Sequence, residues 1–143
     1  MPSNLQAAMA FAQFKRIDEL LFLKREIYKN YRKGLNGLNI KFNLDNSKSK
    51  NGLWATVAHF HSKYKIDIES LIKYLSKNNI FARRFFKPLT LQEAYKKYSN
   101  KKEISKISYY IFKNSIVLPS HFNLTAEDIF YISSKIKSYL KKI

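Results

Sequence analysis

The residues best suited to bind a ligand lie at positions 82–89, which read Ala-Arg-Arg-Phe-Phe-Lys-Pro-Leu. Arg83 and Arg84 directly precede Phe85 and Phe86. A guanidinium group binds phosphate through two parallel hydrogen bonds, and a phenylalanine ring stacks on a base or a sugar face. The segment could therefore bind a phosphate-bearing ligand. A second interpretation stays open, in which the phenylalanines belong to the core and the arginines to a solvated edge.

The three histidines are the candidate metal ligands. His59 and His61 are two positions apart on a predicted strand, so their side chains face the same way, and His121 follows Pro119. No third ligand has a spacing typical of a zinc site. We therefore predict no metal site, and we expect the two strand histidines to face solvent.

No other pattern in the sequence indicates catalysis. The chain has no cysteine, no Gly-x-Ser-x-Gly sequence and no glycine-rich phosphate loop, and no acidic residue is paired with a base in a catalytic pattern. We predict no catalytic residue here, and a phosphate-bearing cofactor would be held by residues outside this chain.

A long helix is the first element that could position the candidate residues. Ser3 and Gln6 form a capping-box pattern, apolar residues then recur at helical spacing, and Gly34 supplies a stop. The pattern predicts one helix over residues 3–34, about 45 Å long at ~1.5 Å per residue. Such a helix indicates a spine that packs against something larger than the rest of this chain.

The remaining pattern predicts a single α+β domain, with helices against one face of a small, mainly antiparallel sheet. Helices are expected to begin after Asp67, near residue 91, near residue 103 and after Thr125. Strands are predicted at residues 40–44, 53–61, 80–86 and 115–118.

Charge is the unusual bulk property of the chain. There are 27 Lys and Arg residues against 10 Asp and Glu residues, for a net charge of +17. Such an excess is typical of proteins that bind nucleic acid or an anionic surface. An AT-rich coding sequence, or a missing acidic partner segment, would give the same excess. No apolar run approaches the roughly 18 residues that span a bilayer, and no signal-peptide pattern is present, so we expect a cytoplasmic location without membrane partners.

Three ordered blocks carry a resemblance to a known family. Residues 1–8 read Met-Pro-Ser-Asn-Leu-Gln-Ala-Ala and residues 16–20 read Arg-Ile-Asp-Glu-Leu. Residues 82–89 are followed by Gln92, Ala94 and Tyr95, and the third block combines Leu-Pro-Ser at 118–120 with Asn-Leu-Thr at 123–125 and Glu-Asp-Ile at 127–129. Together they resemble the DegT/DnrJ/EryC1/StrS aminotransferases, and the perosamine-synthase-like members most.

The resemblance implies the C-terminal small domain of a fold-type-I aminotransferase, with residues 1–34 as the spine helix and residues 35–143 as the α/β domain. Members of this family use pyridoxal 5'-phosphate to move an amino group from glutamate to a keto nucleotide-sugar in amino-sugar biosynthesis for surface polysaccharide. Their catalytic lysine, cofactor-phosphate loop and pyridinium-pairing acid precede the first block. We therefore expect a truncated or split form that lacks the N-terminal catalytic domain, binds no cofactor and is inactive alone. Its partner would be a second copy, as in the family's homodimer, or a complementing N-terminal fragment, and the exposed face of the helix should be apolar where the large domain docks.

The resemblance also implies site residues. Arg83, Phe85, Phe86 and Thr90 match the segment that approaches the sugar substrate in the family, and Asn4 lies near the start of the first helix. Arg84 stands where the family has Pro, and Thr90 stands where many members have His or Ser. The alternative is a basic module that binds nucleic acid or another anion without enzymatic activity. No predicted helix carries a continuous basic stripe, so nucleic acid is the less favoured partner.

Overall fold

The computed structural model of the chain describes residue 1 and residues 3–43, 48–49, 51–98 and 106–143. Short 3-10 turns occupy Ser62–Tyr64, Leu89–Leu91 and Glu93–Tyr98. The helices and strands follow in the predicted order: α1 (Asn4–Phe14), α2 (Ile17–Gly34), β1 (Ile40–Phe42), β2 (Thr56–Phe60), α3 (Ile68–Ser76), β3 (Arg83–Arg84), α4 (Lys106–Lys113), β4 (Ser115–Leu118) and α5 (Ala126–Leu140).

The four strands form one sheet in the order β1-β2-β4-β3, and all three pairs are antiparallel. Ala58 lies opposite Ile116, and Val117 lies opposite Arg83. This confirms the predicted small antiparallel sheet. The start of β2, the end of β4 and the start of β3 consequently meet at one edge.

The core lies between one face of this sheet and three helices. Burial alternates along β2, with Ala58 and Phe60 fully buried, as the period-2 geometry of a strand requires. Tyr31 of α2, Leu71 of α3 and Ile136 of α5 complete the same cluster. The α+β class is therefore confirmed. α4 is the exception, because its Tyr110 ring packs against His59, which points away from the core face.

The predicted single helix over residues 3–34 is instead two helices. α1 ends at Phe14, and Arg16 leaves the helical conformation with φ −106° and ψ 11°. The Arg16 amide bonds to the Gln13 carbonyl at 3.0 Å, three residues back, and its guanidinium binds Glu19 at 2.8 and 2.9 Å. α1 has no buried residue, so packing against the described part of the chain does not hold it in line with α2. Apolar periodicity predicted the helices but could not predict the break between them.

Other boundaries moved for local reasons. The strand predicted at 80–86 is only Arg83–Arg84, the two residues that pair with Val117 and Ile116 of β4. Before it, a left-handed Asn79 (φ 59°) turns the chain after α3. The strand predicted at 53–61 begins at Thr56, beyond a left-handed Leu53 (φ 50°). The helix predicted near 91–98 is a pair of 3-10 turns. The helix predicted near 103 and the strand predicted at 40–44 extend into residues outside the described ranges. No helix in those ranges is both long and apolar enough to cross a bilayer.

Candidate functional site

A cavity of about 1030 Å³ opens at the edge of the sheet where β2 begins, β4 ends and β3 begins, with α2 and α5 beside it. Its polar or aromatic lining includes Lys24, Trp54, Arg83, His121, Asp128 and Tyr131. The antiparallel register brings these residues together, since Thr56 pairs with Leu118 and Arg83 pairs with Val117. A volume of this size fits a nucleotide-sized ligand, for which pockets of roughly 300–1,000 Å³ are typical.

Two side chains of α2 hold one wall of the cavity in place. Tyr31, which is fully buried, donates its hydroxyl proton to the Pro119 carbonyl at 2.8 Å. Lys24 donates to the Ser120 carbonyl at 2.5 Å and to the Trp54 carbonyl at 3.3 Å. The Leu-Pro-Ser block at 118–120 therefore has a structural role, since the carbonyls of Pro119 and Ser120 fix the loop between β4 and α5 to α2.

Lys24 places a positive charge at the cavity wall, and its partners among the described residues are carbonyl groups and an aromatic ring. Its ammonium group lies 4.8 Å from the centre of the Phe122 ring, in addition to the two carbonyls. Partial burial lowers the pKa of Lys24, because the surroundings disfavour its charged form. Carbonyl oxygens and an aromatic face stabilise an ammonium group, but they do not neutralise it. Lys24 therefore brings a positive charge to the wall of a cavity that Asp128 also lines.

An exposed pair of aromatic rings lies beside the cavity. Trp54 stacks on Phe86, with ring centres 5.8 Å apart and ring planes 19° from parallel. Trp54 is 67% exposed to solvent and Phe86 is 62% exposed. Phe85 supports Phe86 edge-on at 5.5 Å. We call Trp54 and Phe86 the aromatic platform. Sequence reasoning missed Trp54, and the available signal was that it is the single tryptophan of the chain.

The two neighbouring arginines have different environments. Arg84 forms an ion pair with Glu69 of α3, and its guanidinium lies 4.6 Å from the centre of the Phe112 ring of α4. Arg83 lines the cavity and has no ion-pair partner among the described residues. Adjacent strand residues point to opposite sides, which accounts for the division. Arg84 therefore joins elements of the fold, and Arg83 lies exposed at the cavity. The phenylalanines are outside the core cluster, contrary to the second interpretation, and ligand binding by this segment stays a prediction.

The remaining predicted site residues are more scattered. Phe85, Phe86 and Thr90 do not line the cavity themselves, although Phe86 adjoins it through Trp54. Thr90 is half-buried in the turn Leu89–Leu91. Asn4 is the exposed first residue of α1 and is not part of the cavity wall. Arg83 lies on the cavity wall, Phe86 adjoins the cavity only through Trp54, and Asn4 is apart from it, so a role in substrate contact stays a prediction for all five.

The histidines do not form the expected exposed pair. His59 is half-buried, its Nδ1 lies 2.9 Å from the Ser115 hydroxyl, and its ring contacts Tyr110. Burial, with the positive charge of Lys41, lowers the pKa of His59. His61 lies past the end of β2, where its Nδ1 accepts from the Lys63 amide at 3.1 Å. Within the part of the chain that the structure describes, no three His, Cys, Asp or Glu side chains are placed to hold a metal.

Comparison with known proteins identifies the fold around this site. The profile of the DegT/DnrJ/EryC1/StrS aminotransferase family matches residues 2–137, nearly the whole chain. The chain belongs to this family. The GDP-perosamine synthase of Vibrio cholerae is 28% identical over 141 residues, which is 99% of this chain and 38% of that protein.

Solved structures of longer aminotransferases contain the same fold. Spr1654 of Streptococcus pneumoniae, in its PMP form, superposes with a TM-score of 0.86 over 98% of this chain at 24% identity. PseC of Helicobacter pylori, an aminotransferase of pseudoaminic acid biosynthesis, gives 0.85 over 96% of this chain at 20% identity. The match covers 35% and 37% of those chains. This chain therefore spans less than two-fifths of the length of the relatives that it matches.

Proposed function

We propose that this chain is the C-terminal domain of a pyridoxal-phosphate-dependent aminotransferase that acts on keto nucleotide-sugars in amino-sugar biosynthesis for surface polysaccharide. Family membership supports the reaction class. The observation that carries the substrate assignment is Arg83, a guanidinium group without an ion-pair partner among the described residues, on the wall of a cavity beside the aromatic platform.

Each part of the site has a role in this proposal. Arg83 binds a phosphate of the nucleotide-sugar through its paired N–H donors. The aromatic platform, supported by Phe85, stacks on a flat base or on the apolar face of a sugar. Lys24 orients the cavity wall and adds positive charge, which favours a diphosphate over a neutral ligand. Thr90 does not line the cavity, so its assignment to the substrate site rests on the resemblance alone.

The described residues do not fit a complete cofactor site. Pyridoxal phosphate acts as an electron sink when bound and requires a lysine for the Schiff base and an acid at the pyridinium nitrogen. Lys24 is the lysine of the cavity, and its ammonium group already binds two carbonyls and a ring. Asp128 is engaged in capping α5 through Thr125. The proposal therefore assigns the cofactor and the catalytic lysine to the remaining part of the enzyme, and it places substrate binding here.

Enzyme assays test this division of labour. The chain alone, supplied with pyridoxal phosphate, glutamate and a 4-keto nucleotide-sugar, is expected to give no amino sugar. We use the term completed enzyme for this chain together with the part of the enzyme that it does not match, and the completed enzyme is expected to give product. Formation of product by the chain alone would overturn the division, and no product from the completed enzyme with any keto nucleotide-sugar would overturn the function.

Arginine variants of the completed enzyme test the substrate site. Arg83→Ala is expected to raise KM by roughly tenfold or more, since a charge-assisted phosphate contact contributes about 1.5–3 kcal/mol. Arg32→Ala is the matched control, because this exposed arginine of α2 does not line the cavity. Equal kinetics for Arg83→Ala and Arg32→Ala would remove Arg83 from the site.

A further inference from the structure

One mouth of the cavity lies between the end of α3 and the first half of α5. Asn78 and Asn79, which come just after α3, line the cavity together with Tyr131 of α5. Tyr131 is 45% exposed, and its hydroxyl donates to the Asn78 carbonyl at 3.4 Å. The cavity therefore reaches the surface where these two helices meet.

Two lysines stand at this mouth, and we call Lys77 and Lys135 the lysine rim. Lys77 is the exposed C-cap residue of α3 and directly precedes Asn78. Lys135 holds its ammonium group 5.1 Å from the centre of the Tyr131 ring. The ion pairs among the described residues involve neither lysine. Both positive charges are therefore free to act on an anion that approaches the mouth.

The cavity behind the rim is itself charged. Lys24 and Arg83 line it against one carboxylate, that of Asp128. This carboxylate already accepts hydrogen bonds from the amide and the hydroxyl group of Thr125. A ligand that carries a diphosphate group thus meets cations first at the mouth and then on the wall.

Screening by salt decides which lysines act on an approaching ligand. The Debye length is about 8 Å at physiological ionic strength. Lys77 adjoins the cavity lining along the chain and Lys135 contacts Tyr131, so both lie within this distance of the mouth. Lys142 has the same local arrangement, with its ammonium group 5.6 Å from the centre of a tyrosine ring. It lies beyond the reach of the mouth, because α5 already ends at Leu140, roughly 14 Å past Tyr131 at ~1.5 Å per residue.

We propose that the lysine rim attracts the diphosphate group of the nucleotide-sugar and steers it into the cavity. This inference rests on the proposed function, and it adds two residues that set the rate of substrate binding. Positive charge at the mouth of a cleft with low-dielectric walls focuses the electric field there and speeds the association of an anion. Because the attraction acts before contact, the rim selects phosphorylated over neutral ligands by rate.

Stopped-flow association of the completed enzyme with a nucleoside diphosphate that carries an N-methylanthraniloyl label tests the rim. The rim variant combines Lys77→Gln with Lys135→Gln. The matched control combines Lys141→Gln with Lys142→Gln, two exposed lysines at the far end of α5, so both variants lose the same two charges from +17.

Coulomb's law gives the size of the expected effect. Two charges about 10 Å from a doubly charged ligand in water predict that the rim variant associates about fivefold more slowly at ~0.02 M salt and about twofold more slowly at ~0.15 M. The control variant should lose less than about twofold at the lower salt concentration and nothing measurable at the higher one. The dissociation rate constant should change less than the association rate constant, as for other charges at the edge of a binding site.

The labelled nucleoside without phosphate should associate with the wild type and both variants at the same rate. Equal association of the diphosphate with the rim and control variants would overturn the proposal. So would a loss confined to dissociation, an equal loss for the unphosphorylated nucleoside, or no association of the diphosphate at all.

Turnover separates this inference from the proposed function. If the completed enzyme makes amino sugar, and the rim and control variants share one kcat/KM at every salt concentration, steering fails and the function stands. If the rim variant slows association of the labelled diphosphate but no keto nucleotide-sugar gives amino sugar, steering stands and the enzymatic function fails.

Discussion

α1 and α5 begin with the same device and end in opposite environments. Ser3 and Gln6 form a complete capping box at α1, and Thr125 and Asp128 form one at α5. α5 then buries five residues against the rest of the chain, whereas α1 buries none. Local sequence is thus sufficient to start both helices, but of the two only α5 packs into a core formed by the described residues. The difference separates a helix that is part of the core from a helix that is supported only by its own hydrogen bonds and cap.

The largest expected difference between the two helices is in the loss of unfolding free energy when one apolar side chain of each is shortened to Ala. Ile136→Ala in the core side of α5 should lower the free energy of unfolding by about 2–5 kcal/mol, because it opens a cavity in packed surroundings. Phe14→Ala in α1 should change it by less than ~0.5 kcal/mol, as for an exposed position. Urea unfolding of the isolated chain measures both. A loss at Phe14 that approaches the loss at Ile136 would mean that α1 packs on this chain in solution.

The crossing of α2 and α5 should be the next most sensitive point. A Cβ atom added at Gly34 would overlap the buried hydroxyl of Ser133, so Gly34→Ala should cost about 1–3 kcal/mol of unfolding free energy. Gly52→Ala is the control, since no atom lies within 4 Å of the added carbon. Ser133→Ala removes the closest atom, and the double variant should lose less than the sum of the two single losses. Strict additivity would show that the helices shift apart to accept the methyl group.

The two caps should differ in what they stabilise. Thr125→Ala should lower the global unfolding free energy by ~1 kcal/mol, because α5 is part of the cooperative core. Ser3→Ala should reduce helical content by circular dichroism and leave the urea midpoint unchanged, since α1 can unwind on its own. A shift of the midpoint by Ser3→Ala would tie α1 to the core and remove the contrast.

The smallest expected effect is a pH dependence present in one cap only. Hydrogen bonds from the Thr125 amide and hydroxyl lower the pKa of Asp128 in the folded chain. Its stabilisation is therefore present above the unfolded value of about 4 and lost as the pH falls through the lower folded value. The stability difference between the wild type and Asp128→Asn should thus shrink between pH 5 and pH 3. The α1 cap uses Gln6, which does not titrate, so Gln6→Ala should have the same effect on helicity at both pH values.

The features that the sequence predicted correctly are those that residues close together in the chain determine. The caps at Ser3, Asp67 and Thr125 mark helix starts in the structure, and β4 has the predicted bounds. These features depend on hydrogen bonds over two or three positions or on local alternation, which a single sequence displays. The motif blocks also predicted the family, which the profile match confirmed.

What the sequence could not predict depends on contacts between distant residues. The difference between Arg83 and Arg84 arises because Glu69, fifteen positions earlier, binds only one of them. The aromatic platform joins residues 54 and 86, and Lys24 reaches the carbonyl of Ser120, 96 positions away. The break between α1 and α2 has no Pro or Gly to signal it. Apolar periodicity shows which side of a helix or strand is apolar, but it does not show which residues pack against that side.

The position of the single tryptophan has an optical consequence. The chain contains 10 Tyr and 11 Phe but one Trp, so its indole emission comes from Trp54 alone. That indole is largely exposed, stacks on Phe86 and lies next to the cavity. The main-chain carbonyl of Trp54 accepts a hydrogen bond from Lys24. Its emission should therefore lie at long wavelength in the free chain and shift to shorter wavelength when a ligand or a partner chain excludes water from the indole. The native protein thus carries an intrinsic fluorescent probe on the wall of the candidate site, without any label.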